Sequence, residues 1–304
     1  MRITVIGMGS MGPGMAVRLA RGGHHVRAHD VSPDAMRRAE GLLPMITTAL
    51  EGLGIDDGGG TLEFSGSLEG AVSGADLVIE NVPEDIETKA ALYADLSPLM
   101  GEAAILATDT SGIPITRLQA HVARPERFVG MHWSNPPHIV PMIEVIAGDG
   151  TAPETLAAIR DLIRDLGLLP VVLERDVPGF VENRVLYALL RECVNLVETG
   201  VVSPEDLDTC VSWGIGYKLA AIGPMRLLDM AGLDIYRSVA AFLNADLCDR
   251  DDAAPMIDEA LADGRKGMKT GAGLFDYSEE ELARLPRDRG ATLVALRKVL
   301  EGRG

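Results

Sequence analysis

Arg2-Ile-Thr-Val-Ile6, Gly7-Met-Gly9-Ser10-Met11-Gly12-Pro-Gly14, Met15-Ala-Val-Arg-Leu-Ala20: a β-branched run leads through a glycine-rich turn into a helical pattern. In that order the three pieces form a strand-turn-helix unit with the spacing G-x-G-x-x-G. Gly7 permits the tight turn, Gly9 lets a pyrophosphate approach the backbone, and Gly12 lets the helix pack close to the strand. The helix N-terminus, with its unpaired N–H groups and positive dipole end, attracts phosphate. A ligand-free turn could use the same glycines, so the next segment decides. His24-His-Val-Arg-Ala-His-Asp30 reads as a second strand that ends on an acid. About 20 positions beyond the glycines, such an acid accepts hydrogen bonds from ribose hydroxyls and repels a 2′-phosphate. A plain turn would have no need of Asp30. Residues 2–30 therefore predict a dinucleotide site of Gly7, Gly9, Ser10, Met11, Gly12 and Asp30 that favours NAD over NADP.

Outward from this unit the strand signals recur. Residues 33–53 read as a helix, 61–65 as an edge strand, 74–80 as a parallel-type strand and 103–107 as another. Ligands of doubly wound sheets gather at the carboxyl ends of the strands. That rule gives Glu84 and Ser111 an address beside the cofactor, although Glu84 taken alone reads more readily as a solvated helix-cap acid. A helix over 153–166 and a last strand over 170–173 precede Asp176-Val-Pro178-Gly179, where the β signals stop. Helical periodicity then covers 180–198, 204–213, 224–241, 253–263 and 279–300. The expectation is an α/β fold: a Rossmann-type doubly wound domain over 1–178 and an all-helical domain over 179–304. Apolar helix faces left over after packing would serve dimerisation. Asn183 falls in the first turns of the helical part, where it reads either as a surface residue or as one directed into a cleft between domains.

Glu144 is out of place in its surroundings. It interrupts the apolar run Pro141-Met-Ile-Glu-Val-Ile-Ala147, a buried-strand pattern. An unpartnered carboxylate there costs several kcal/mol or neutralises itself by a pKa shift. The nearest candidate partner is His132, across Asn135-Pro136-Pro137, which bars a continuous helix or strand and turns the chain back. A histidine oriented by a carboxylate is a general acid/base unit. The same two residues could equally be a buried polar pair that only holds a turn.

Composition removes several classes of function. The chain has 304 residues and 47% hydrophobic content, enough for two domains with substantial cores. A net charge of −17 without a basic patch argues against nucleic-acid binding. No apolar run approaches the roughly 18 residues of a membrane span, and no signal-peptide pattern precedes the first strand, so a cytoplasmic protein is expected. Cys193, Cys210 and Cys248 are scattered, without C-x-x-C, and indicate neither a metal site nor a disulfide framework.

Six motifs, in order, resemble the 3-hydroxyacyl-CoA dehydrogenase superfamily over nearly the whole chain. They are the Gly7-x-Gly9-x-Met11-Gly12 loop, Ile79-Glu-Asn-Val-Pro-Glu84, Asp109-Thr-Ser111-Gly112, Gly130-Met-His132 with Asn135-Pro136 and Glu144, Pro178-Gly-Phe-Val-Glu-Asn183-Arg184, and Lys269-Thr-Gly-Ala-Gly273. The resemblance implies that His132 is the general base, that Glu144 orients it, and that Ser111 and Asn183 contact the reacting oxygen. It places Glu84, Lys89 and Asn135 on the cofactor side of the site, with NAD as cofactor, no metal, and a homodimer formed through the helical domain. Acyl-CoA members carry Phe-Phe-Asn-Pro after the histidine; here the text is Trp133-Ser134-Asn135-Pro136. The arm over 33–60 offers Arg37 and Arg38 but no Lys to a CoA phosphate. The stretch 214–224 and the long tail are similar instead to the branch acting on small non-CoA substrates, such as L-gulonate and carnitine dehydrogenases. A small aromatic carboxylate would need a cation, for which Arg184, Lys218 and His138 are candidates, and Trp133 could stack on its ring or fill the domain interface.

Overall fold

The structure, a computed structural model, describes residues 1–302. In chain order its elements are β1 (Arg2–Ile6), α1 (Gly12–Arg21), β2 (His25–His29), α2 (Pro33–Gly52), β3 (Thr61–Phe64), α3 (Leu68–Val72), β4 (Leu77–Glu80), α4 (Ile86–Leu96), β5 (Ile105–Thr108), α5 (Ile115–Gln119), β6 (Phe128–Trp133), β7 (Met142–Ile146), α6 (Pro153–Asp165) and β8 (Leu169–Leu173). There follow α7 (Glu182–Glu198), α8 (Pro204–Thr209), α9 (Tyr217–Ala221), α10 (Pro224–Ala231), α11 (Leu233–Leu243), α12 (Pro255–Ala262) and α13 (Glu279–Glu301). The expected α/β architecture is present, a parallel-type sheet unit followed by helices.

The eight strands form one sheet in the order β3-β2-β1-β4-β5-β6-β7-β8. All neighbours are parallel except β6 and β7, which are antiparallel. The connection between those two, built on Pro136-Pro137, is too short for a parallel crossover. Between β1 and β4 the winding reverses, which opens the ligand crevice of a doubly wound sheet at their carboxyl ends. Two bonds tie that point together: Gly7 N–H donates to His29 O at 2.8 Å and Asn81 Nδ2 donates to Ile6 O at 2.7 Å.

Period-two alternation divides the strand residues between two cores. Val5, Leu77, Ile79, Met131, Trp133, Ile143 and Val145 pack with Met15 and Leu19 of α1. Val78, Leu106, Phe128 and Ile146 pack on the other face with Tyr93 and Leu96 of α4. His132 and Glu144 alternate with Trp133 and Ile143, so they belong to the second face. Trp133 is buried in the core on the opposite side, so of the two uses open to it in the sequence, stacking on a substrate ring is not available.

The second face also carries buried charge. Lys89 and Glu80 are both fully buried; Nζ donates to the two carboxylate oxygens at 3.0 and 2.9 Å, and the Tyr93 hydroxyl donates to Glu80 at 2.8 Å. Such a pair is tolerated because its hydrogen bonds are satisfied. Asp109 accepts the Trp133 N–H at 2.8 Å. Burial foremost, then repulsion from Glu80 and Glu84 against the help of that bond and Lys89, pushes its carboxyl well above the usual range.

Two compact units divide the chain: Met1–Arg184 with Leu293–Arg297, and Val185–Thr292 with Lys298 onward. Arg297 of the first unit is buried, and its Nη1 donates to Ile139 O at 2.8 Å. In the second unit helical periodicity misreads two places. The expected helix over 204–213 becomes α8, which passes through a wider π-helical turn, Cys210–Gly216, into α9. The expected helix over 224–241 breaks at Gly232, whose φ of 100° no helix accepts; apolar periodicity runs on through the break and hides it. Helices α7 to α12 bury no residue completely, and Tyr187, Tyr217, Met230 and Phe242 are among their exposed side chains. No helix among the described residues is long and apolar enough to cross a membrane.

Asp109 gives a test of the buried charge. Its pKa is raised on folding, so it adds nothing below the unfolded value and destabilises increasingly as pH rises above about 4. Asp109→Asn keeps the acceptor for Trp133 and removes the ionisation. The variant is expected to melt higher than the parent at neutral pH, with a gain that shrinks as pH falls toward about 4 in thermal shift measurements; a gain independent of pH would count against this account.

Candidate active site

The glycine loop has the shape a dinucleotide requires. Gly7 has φ +93°, and a Cβ there would lie 2.7 Å from Asn81 O. A Cβ on Gly12 would lie 2.0 Å from Gly7 O, so only glycine lets α1 start this close to the turn. A Cβ on Gly9 would meet no protein atom within 4 Å; the loop is open there, on the side where a pyrophosphate would approach. Gly9 and Ser10 are exposed, Met11 is half-buried, and the first turn of α1 carries no acid to compete with phosphate. Asp30 ends β2 as expected and also does something the sequence did not show. Its Oδ2 accepts Met8 N–H at 2.7 Å and its Oδ1 accepts Ser32 N–H at 2.7 Å, so this acid fixes the loop. These residues fit NAD.

Glu84 is not the helix-cap acid that one reading allowed, for Asp85 caps α4. Instead Glu84 Oε1 accepts the Thr110 hydroxyl at 2.6 Å and the N–H groups of Ser111 and Gly112, each at 2.9 Å. Asn183 Nδ2 donates to Ser111 O at 2.7 Å. Glu84, Ser111 and Asn183 are thus one hydrogen-bonded group. Lys89 stands behind it, its ammonium on Glu80 and 4.0 Å from Glu84. Asn135 is exposed beyond the end of β6.

His132 and Glu144 lie directly opposite each other on β6 and β7. His132 Nδ1 is 2.8 Å from Glu144 Oε2, and both side chains are buried. Glu144 Oε1 accepts Val181 N–H at 2.9 Å and Glu182 N–H at 3.2 Å. The left-handed backbone of Gly179 and Phe180 (φ 74° and 52°) turns those two amides onto the carboxylate, which then caps the start of α7. Burial opposes the charge on Glu144, but the bonds from His132, Val181 and Glu182 outweigh it and hold the carboxyl below its usual range. An ionised carboxylate only accepts, so Nδ1 of His132 carries the proton and Nε2 is left as the basic nitrogen. Phe180 packs beside the imidazole, ring centres 5.7 Å apart.

Models of two families match the chain: the 3-hydroxyacyl-CoA dehydrogenase NAD-binding domain over residues 2–177 and the 3-hydroxyacyl-CoA dehydrogenase C-terminal domain over 179–277. The chain belongs to the 3-hydroxyacyl-CoA dehydrogenase family. This NAD-dependent dehydrogenase is 63% identical to the 5-formyl-3-hydroxy-2-methylpyridine 4-carboxylate 5-dehydrogenase of Mesorhizobium japonicum, over 99% of this chain and 98% of that one. A crystal structure described as that 5-dehydrogenase, an NAD⁺-dependent dismutase, is also 63% identical, with a TM-score of 0.97 over 99% of this chain and 98% of the other. A probable 3-hydroxybutyryl-CoA dehydrogenase of Bacillus subtilis is 34% identical over 92% of this chain and 98% of its own.

Of the three cations suggested for a substrate carboxylate, the structure disfavours one. Burial holds the His138 pKa below its ordinary value, which opposes a cation there, and its Nδ1 faces Gly14 of α1 without a hydrogen-bond partner. Arg184 is exposed, its Nη1 3.3 Å from Pro178 O, and Lys218 is exposed on α9. Two residues beside the imidazole escaped the sequence reading. Ser134 Oγ donates to Glu182 Oε1 at 2.6 Å, and ligand atoms of Glu182, Glu144 and His132 lie within 4.8 Å of one another. The only sequence sign was polar residues where apolar neighbours were expected.

The glycines make a paired test of the fit to NAD. Gly9→Ala should fold with a melting temperature near the parent's and bind NADH about tenfold or more weakly, since its methyl enters the open side of the loop. Gly12→Ala should lose stability as well, because its methyl meets backbone. NADH fluorescence titration and thermal melts separate the two; equal affinity in the parent and Gly9→Ala would refute the placement.

Proposed function

We propose that this enzyme oxidises a small aromatic aldehyde bearing a carboxylate, of the 5-formyl-3-hydroxy-2-methylpyridine 4-carboxylate class, as its hydrate, with His132 as general base. The observation that carries the reading is the His132–Glu144 contact of 2.8 Å, backed by two amides on the other carboxylate oxygen. Glu144 fixes the tautomer and stabilises the imidazolium that forms when His132 Nε2 takes a hydroxyl proton. Ser111 and Asn183, joined by a hydrogen bond and held by Glu84, are assigned to the reacting oxygen. Gly7, Gly9, Ser10, Met11, Gly12 and Asp30 would hold NAD, with Glu84, Lys89 and Asn135 on the nicotinamide side. When bound, NAD supplies the hydride acceptor.

The substrate class is supported by the 63% identical relative and by an arm over 33–60 that offers a CoA phosphate only Arg37 and Arg38 in a chain of net charge −17. An alcohol loses its hydroxyl proton to the same base, so one site serves the alcohol–aldehyde couple and the aldehyde–acid step. The same reading extends to dismutation and places the enzyme in vitamin B6 breakdown. The exposed apolar residues of α7, α10 and α11, with no core of their own, support a homodimer through the helical unit.

His132→Ala is expected to lower turnover by roughly 10² to 10⁴ while NADH affinity is retained; unchanged turnover would sink the assignment. With the parent enzyme, the pyridine aldehyde should be oxidised ahead of 3-hydroxybutyryl-CoA. Saturable oxidation of the thioester with the higher kcat/KM would instead return the enzyme to acyl-CoA chemistry.

A further inference from the structure

The Glu182 carboxylate is the one charged group beside His132 that the chemistry above leaves without work. Its position is closely determined. Its own N–H is held by Glu144 at 3.2 Å, and its Oε1 accepts the Ser134 hydroxyl at 2.6 Å. Its Oε2 is screened from solvent and meets no hydrogen-bond donor, and no ion pair among the described residues engages it. A shielded carboxylate oxygen without a donor is costly, and such a group in a native protein calls for an explanation. Here it lies in a group whose ligand atoms, on Glu182, Glu144 and His132, fall within 4.8 Å of one another. Both Glu144 oxygens and Glu182 Oε1 are already engaged, which leaves Glu182 Oε2 as the one carboxylate oxygen of this three-residue group without a donor.

A ligand that satisfies both groups must bring two donors on one small centre: one for the base and one for the carboxylate. An alcohol brings one hydroxyl and an aldehyde none. A hydrated aldehyde, R–CH(OH)₂, brings two. Resting on the function proposed above, we propose that Glu182 accepts the hydrogen bond of the second hydroxyl of the aldehyde hydrate and so favours the aldehyde-to-acid step over the alcohol–aldehyde couple. In that step the first hydroxyl loses its proton to His132 Nε2 and its O–H electrons become the C=O π bond. The C–H bond breaks with its electron pair, leaving as hydride to NAD⁺. The second hydroxyl stays on carbon as the acid's OH and then ionises, so R–CH(OH)₂ and NAD⁺ give R–COO⁻, NADH and two protons. Throughout, the charge-assisted bond that the second hydroxyl donates to Glu182 keeps electron density on that oxygen, which favours loss of hydride.

The test compares two reactions of one aldehyde, 5-formyl-3-hydroxy-2-methylpyridine-4-carboxylate, in the parent, Glu182→Gln and Ser134→Ala proteins: oxidation with NAD⁺ and reduction with NADH. NADH fluorescence titration of each variant checks that the cofactor site is folded. The ratio of oxidation kcat/KM to reduction kcat/KM is expected to fall about tenfold or more in Glu182→Gln and by less, in the same direction, in Ser134→Ala. A Glu182 that bound a ring hydroxyl or ring N–H instead, or that only shaped the turn, would depress both reactions together. An unchanged ratio in Glu182→Gln therefore overturns this proposal alone. A parent enzyme that oxidises no aldehyde overturns the aldehyde reading, and this proposal with it.

Discussion

The carboxylate of Glu144, buried between two strands and the first turn of a helix, is where fold and chemistry depend on each other most directly. An isolated charge in that setting costs several kcal/mol. Three donors offset the cost here, and each comes from a different part of the chain: the His132 ring on β6, and the amides of Val181 and Glu182 where α7 begins. The antiparallel register that sets His132 opposite Glu144 and the left-handed turn at Gly179-Phe180 both serve to deliver those donors. The carboxylate in turn leaves His132 one choice of tautomer. A lost proton on Glu144 thus links β6, β7 and α7 while it defines the basic nitrogen. The sign of its pKa shift has a corollary: being depressed on folding, it contributes stability that is present above its unfolded value and is lost as pH falls through the lower folded value.

Much of this was legible before any coordinates because the signals were local. Glycines at fixed offsets, β-branched runs and the acid at Asp30 specify the nucleotide-binding half, and its strands lie within a few residues of where the pattern puts them. A glutamate inside an apolar strand asked for a partner close in sequence, and a two-proline turn brings one back. What stayed hidden was carried by pairings with no local signature. Ser134 and Glu182 meet across 48 residues, and Thr110, Ser111 and Gly112 close on Glu84 across as many as 28. Asp30 looked like a ribose ligand only, because a side chain's bond to a distant amide leaves no periodic trace. The break at Gly232 was missed because hydrophobic spacing continues across it.

Family members that process CoA esters and the 63% identical pyridine-aldehyde enzyme share one scaffold, so substrate choice must lie in few positions. The residues after His132 are where this chain departs from the acyl-CoA pattern, and the structure assigns them separate duties. Period-two alternation sends Trp133 into the opposite core, while Ser134 reaches Glu182 at the start of α7. The departure therefore places a polar pair beside His132 and Glu144 rather than an aromatic side chain on that face.

A general-base role for His132 requires that Nε2, not Nδ1, be its basic nitrogen. Ring ¹⁵N–¹H correlation spectra of histidine-labelled enzyme at neutral pH, assigned by comparison with His132→Gln, read this directly. The prediction is a ring whose Nδ1 carries a proton, shifted downfield by the bond to Glu144, with Nε2 as the accepting nitrogen. A ring protonated at Nε2 and bare at Nδ1 would contradict the assignment of His132 as the base.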